Sequence, residues 1–306
     1  MKTKGILLAV MLLILMNSTI FGLEFPTILS LTENQTKILS IQEREVNLKP
    51  HQDLGARSHR VLQKSAASAF PQYEEHEPIV IKSDVDFVTL GFPGDGSPEN
   101  PYVIERLNIT RSTTPLIQIK DTTVYFHIRN NFLNGLTSED PIHDGIHLIY
   151  VSHGTVASNI ITNCEVGILI EHSKDIIVSH NTVSNNTVFG IHLSHSEYNI
   201  ISHNTIFNNS LCGICVATSG NNTVSHNIVS NASYYEIGNY QRPYGPYYDG
   251  TGIYLSTSGN NTVSNNTISN NSGDGIHLWN SSDTIISYNT VLSNGGTGIF
   301  IEIESG

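Results

Sequence analysis

Residues Ser179 to Leu193 read SHNTVSNNTVFGIHL, and the phrase returns along the chain with its apolar letters kept and its polar letters exchanged. Aligning its glycine finds Gly145, Gly167, Gly190, Gly213, Gly252, Gly275 and Gly298, at spacings of 22, 23, 23, 39, 23 and 23 residues. An asparagine follows each of the first six glycines by 14 residues: Asn159, Asn181, Asn204, Asn227, Asn266 and Asn289. All length variation therefore falls between that asparagine and the next glycine. A unit this short cannot bury its own apolar side, so successive units must stack.

The columns inside the unit say how they stack. The residue after the glycine is isoleucine in every unit (Ile146, Ile168, Ile191, Ile214, Ile253, Ile276, Ile299). Two positions further on stands Leu148, Ile170, Leu193, Val216, Leu255, Leu278 or Ile301. A period of two is that of a strand with one apolar side. Two more aliphatic columns, Val156 to Ile286 and Ile161 to Val291, complete three short strands per unit. The Leu-x-x-Leu-x-Leu frame of leucine-rich repeats is absent. What remains is an all-β coil of 22–23 residues per turn, each strand pairing in parallel with its copy one turn away, about 4.8 Å on. Asparagine suits the corner because it tolerates a left-handed backbone and its amide can hydrogen-bond along a ladder.

Phrases such as NTVSNNTISNNSGDGIHL (Asn261 to Leu278) and the entry segment GDGSPENPYVIERLNI (Gly94 to Ile109) resemble the right-handed parallel β-helix repeat proteins. The resemblance is specifically to the NosD-like group with carbohydrate-binding and sugar-hydrolysis type repeats, and it covers residues 78 to 306. It implies an extracytoplasmic location, contact with polysaccharide as a common theme and, for the NosD name, a link to copper handling.

Three segments are expected. Residues 1–22 carry Lys2 and Lys4 ahead of an apolar run from Ile6 to Met16, the layout of a signal peptide or an amino-terminal anchor. Residues 23–76 form a linker or loosely ordered segment, and 77–306 form the β-helix. No helix pattern interrupts the β-like run that follows Pro78. The expected location is secreted or extracytoplasmic, at the cell surface or in the periplasm. Three cysteines, Cys164, Cys212 and Cys215, make no disulfide framework. The carboxyl end stops partway through a coil, which invites end-to-end contact with another chain.

Charge narrows the partners. With 15 Lys and Arg against 27 Asp and Glu, the formal charge is −12, and beyond Asn130 the only basic residues are Lys174 and Arg242. Neither nucleic acid nor an anionic membrane surface fits such a chain, apart from a membrane anchored by the amino terminus. Polysaccharide lyase chemistry, which needs a basic proton acceptor, is equally unsupported.

Candidate sites lie around two insertions in the variable turn, NGLTSEDPIHDG and ASYYEIGNYQRPYGPYYDG. These would wall a groove floored by the column two residues after each glycine: His147, Leu169, His192, Cys215, Tyr254, His277 and Phe300. The second insertion supplies Tyr234, Tyr235, Tyr240, Arg242, Tyr244, Tyr247 and Tyr248, aromatic faces beside polar groups that suit sugar rings. With Tyr254, His147 and His192 they form the candidate polysaccharide-binding set. Catalysis, if present, would be glycoside hydrolysis by Asp249 and Asp274 with His277 nearby, although an aspartate before glycine is also an ordinary turn. The reading favours binding without turnover. A metal alternative rests on His180, His203 and His226, one column in three consecutive coils, with Cu or Zn as the ion. Cys212 and Cys215 add a softer donor set.

Overall fold

The computed structural model describes residues 73–110, 114–135, 143–233 and 250–303. Three parallel sheets run the length of this part, one for each strand-like piece of the repeat. Sheet I stacks Ile79–Ile81, Ile117–Thr122, Ile146–Val151, Val166–Glu171, Phe189–Ser194, Cys212–Ala217, Thr251–Ser256, Ile276–Trp279 and Ile299–Glu302. Sheet II holds the strands that include Val178 and Ile201, and sheet III those that include Val183 and Ile206. Every strand pairs with its copy in the next coil, giving the right-handed parallel β-helix that the repeat implies.

Register follows the glycine alignment: Ile168 pairs with Ile191, Ile191 with Ile214 and Ile214 with Ile253. From Ile146 to Ile276 this column is fully buried. Each such side chain contributes roughly 1.5–3 kcal/mol of burial, an upper figure because the unfolded chain already hides some apolar surface. Ile299 and Ile301, in the last described coil, are exposed.

The glycine column has a steric cause. A Cβ on Gly190 would lie 2.5 Å from the carbonyl oxygen of Gly213 and 2.6 Å from Cγ2 of Ile206. Sheets I and III approach too closely there for any side chain.

The corners correct one expectation. The ladder asparagines are not themselves left-handed; the residue before each one is, namely Ser158, His180, His203, His226, Asn265 and Tyr288, with φ of 55° to 58°. That residue turns the chain and points out, and the next turns its amide in. Asn181 Nδ2 donates to Asn204 Oδ1 at 3.0 Å, and Asn204 Nδ2 to Asn227 Oδ1 at 3.0 Å. The device recurs at the other corners. Asn199 donates to Asn222, Asn186 to Asn209 and Asn271 to Asn294, and serine hydroxyls of Ser196, Ser219 and Ser258 accept from backbone N–H groups of the preceding coil. These ladders satisfy backbone and amide groups that water cannot reach.

The entry of the coil differs from the expected unbroken β run. Asp84–Thr89 forms a short helix whose Phe87 is buried and stacks on Tyr102 with ring centroids 4.6 Å apart. It packs beside the strand Ile79–Ile81, whose Ile79 and Ile81 are buried. Glu74–Glu75 already pairs with Leu107–Asn108, slightly upstream of residue 77.

Candidate functional site

Sheet I alternates inward isoleucines with the outward column expected as a groove floor, and that column is in register: His147 with Leu169, Leu169 with His192, His192 with Cys215, Cys215 with Tyr254, Tyr254 with His277 and His277 with Phe300. Its middle is not an open floor. Cys215 and Tyr254 are fully buried in a second apolar cluster with Val166, Phe189 and Cys212, against which Leu169, Leu211 and Trp279 pack. Burial pushes the Tyr254 hydroxyl up to about 12 and His192 down to about 4. Of the expected aromatic set, Tyr254 therefore serves packing. Tyr234, Tyr235, Tyr240, Arg242, Tyr244, Tyr247, Tyr248 and Asp249 lie outside the described residues, as does most of the first insertion.

Two polar networks flank this cluster. In the first, His147 Nδ1 lies 3.2 Å from Asp144 Oδ2 and Nε2 lies 2.8 Å from Glu171 Oε2. In the second, His277 Nδ1 lies 3.2 Å from Asp274 Oδ2 and Nε2 lies 4.0 Å from Glu302 Oε2. Each uses the same three places: the residue before a glycine, the second residue after it, and the fourth residue after the next glycine. The expected proximity of Asp274 and His277 is thus present, with Glu302 added. Asp144 and Glu171 form a counterpart that the sequence reading did not assemble. The trio spans two coils, and only superposing columns from consecutive glycines would have revealed it.

The electrostatics differ between the copies. Burial, then the nearby Glu165 carboxylate, pushes Asp144 up to about 7, against a hydrogen bond from the Val166 N–H that pulls it down. Burial likewise raises Glu165 and lowers His277. Asp274 accepts the Thr297 N–H at 2.6 Å. His277 is 4% exposed and edged by Tyr254 and Phe300, with ring centroids at 5.0 and 4.8 Å. Among the described residues, two buried side-chain polar atoms lack a hydrogen-bond partner: His277 Nε2 and the Nε2 of His143, next to Asp144. Such an atom costs on the order of 1–3 kcal/mol, so its retention calls for an explanation beyond folding.

The histidine column at the corner that follows sheet II is ordered differently. His180, His203 and His226 are exposed and stack face to face, with centroids 5.1 and 4.9 Å apart and planes within 5°. Equivalent nitrogens of parallel rings sit about as far apart as the rings, whereas two ligands each about 2 Å from one ion must come within about 4 Å. One ion does not fit between neighbouring rings as they stand. Among the described residues, no group of three or more His, Cys, Asp and Glu is arranged to hold a metal. The thiols of Cys164 and Cys215 are buried and pushed up, Cys164 to about 12, which disfavours the thiolate that binds metal.

The fold and its ladders define a right-handed parallel β-helix with a polar and apolar outer face on sheet I. Residues 128–306, more than half of the chain, match the family model for the periplasmic copper-binding protein NosD. The chain belongs to the NosD family. No curated protein matches it. Among solved structures it is similar to the periplasmic alginate epimerase AlgG, at 18% identity and a TM-score of 0.53, over 66% of this chain and 50% of that one. It is also similar to the A-module of the mannuronan C-5 epimerase AlgE6 from Azotobacter vinelandii, at 17% identity and a TM-score of 0.49, over 75% of this chain and 68% of that one. The chain spans about half the length of AlgG, and at 18% identity the likeness to AlgG speaks to fold alone.

Proposed function

We propose that this NosD-family chain is an exported protein that binds extracellular or cell-surface polysaccharide along sheet I without turning it over. The observation that carries this reading is the pair of Asp–His–Glu networks set on one face, with a patch of half-buried apolar side chains, Leu169, Leu211 and Trp279, between them. A sugar polymer offers the matching features, C–H faces for the patch and hydroxyls for the polar ends. Binding of the full chain to an array of neutral, acidic and amino polysaccharides tests it. Retention on at least one glycan class, reduced by Glu171→Gln, supports the reading, and no retention on any glycan removes it.

The family description favours a second reading, in which the exposed imidazoles of His180, His203 and His226 take up copper after their rings turn out of the stack. Metal analysis of protein purified without added ions, and titration with Cu²⁺, test it. A stoichiometric copper lost in His203→Ala would support this reading, and none bound would remove it.

A further inference from the structure

We propose that the Asp144–His147–Glu171 and Asp274–His277–Glu302 networks are two subsites for ammonium groups carried by one amino-sugar polysaccharide lying along sheet I. This rests on the polysaccharide reading above and specifies its substrate class.

The coil does not need these residues. In intervening coils the position before the glycine holds Val166, Phe189, Cys212 or Thr251, and the Glu171 column holds Ser194, Ala217, Ser256 or Trp279. Packing is satisfied there by apolar or small side chains, so packing alone does not account for two matching polar trios.

What the networks offer selects the ligand. The carboxylates only accept hydrogen bonds when ionised, and in the tautomer that holds its proton on Nδ1, 3.2 Å from Asp274 Oδ2, the Nε2 of His277 also accepts. Of the two buried nitrogens without a partner among the described residues, that of His277 belongs to the second network, and that of His143 is on the residue preceding Asp144. A donor is the missing partner, and an ammonium satisfies carboxylate and imidazole together. Lys120 is the one lysine or arginine on the strands of sheet I, and it lies 3.9 Å from Asp121. A uronate polymer would meet carboxylates at both ends of this face and little to neutralise it.

Spacing supports a polymer. Gly145 and Gly275 are five coils apart, so the subsites lie about 24 Å from each other along the sheet at parallel-strand spacing. Because burial holds Asp144 up to about 7, an ammonium docking there would displace its proton.

Titration calorimetry of the full chain at pH 6 and low salt, with fully deacetylated glucosamine oligomers, their N-acetylated counterparts, alginate oligomers and polylysine, tests the assignment. The deacetylated oligomer is expected to bind at least about tenfold more tightly than the acetylated one. Its binding should weaken with salt, release protons, and lose about tenfold in Asp144→Asn/Glu171→Gln. Glu302→Gln, at a half-buried side chain that is 42% exposed, is a second, isosteric variant and should also weaken it. Equal affinity for acetylated and deacetylated oligomers would leave the polysaccharide reading standing and overturn the ammonium assignment. Preference for alginate would do the same. Polylysine binding with the same variant losses would overturn a sugar subsite, and no binding to any glycan would overturn both readings.

Discussion

Asn204 accepts two hydrogen bonds from Asn181 through a single Oδ1, from the backbone N–H at 2.9 Å and from Nδ2 at 3.0 Å. Its own Nδ2 donates to the Val178 carbonyl at 2.9 Å and to Asn227 Oδ1 at 3.0 Å. The side chain is thus fully used, in a place closed to water. Asn204→Ala strands two donors of Asn181, and is expected to cost about 2–4 kcal/mol. Urea denaturation checks this; an unchanged midpoint would mean that the ladder is not coupled to stability.

His203 is a corner residue first, with φ of 57°. Asparagine and glycine tolerate that conformation and β-branched residues do not. His203→Asn should leave the melting temperature nearly unchanged, and His203→Val should lower stability by about 1–2 kcal/mol. Thermal denaturation of the two variants side by side separates backbone fit from any role of the imidazole itself.

Gly190→Ala places a methyl group 2.5 Å from the Gly213 carbonyl oxygen, and is expected to cost about 3 kcal/mol or more. Gly259→Ala makes its nearest contact at 3.3 Å, to the Ser282 carbonyl oxygen, and should cost distinctly less. Comparing their denaturation midpoints tests whether the glycine column exists for close approach of two sheets.

Asp144 makes a pH-dependent contribution whose sign is fixed. Its carboxyl ionises near 3.8 in the unfolded chain and at about 7 when folded, so between those values the folded state holds the extra proton. Stability from this group is full below about pH 4 and lost as pH rises toward and through 7. Asp144→Asn, which cannot ionise, should therefore gain roughly 2–4 kcal/mol relative to the parent on going from pH 4 to pH 8. Denaturation of both proteins at the two pH values measures that difference, and a gap that does not change with pH would contradict the burial of Asp144.

The coil was legible because its demands repeat. One glycine column, four aliphatic columns and one asparagine ladder are each stated six or seven times, and together they set strand number and register. The other ladders were hidden in Asn-Asn pairs such as Asn185-Asn186 and Asn208-Asn209. In each pair the first residue turns the chain with φ near 57° and the second faces inward, so identical letters do opposite jobs. The helix Asp84–Thr89 is too short to establish a period, and buries only Phe87. The site was less legible than the fold. Asp144 and Glu171 meet only because successive coils superpose, and Tyr254 left the expected floor because Phe189, Cys212 and Cys215 gather around it.

Contact between isoleucine side chains of successive coils is the claim on which register, ladders and binding face all depend. Methyl–methyl nuclear Overhauser effects in isoleucine-labelled protein measure it directly. The account predicts cross-peaks linking Ile191 to Ile214 and Ile214 to Ile253, lost selectively when Ile214 is replaced by Val without its δ1 methyl. Folded protein in which these methyls show no mutual cross-peaks, or only contacts with water, would contradict it.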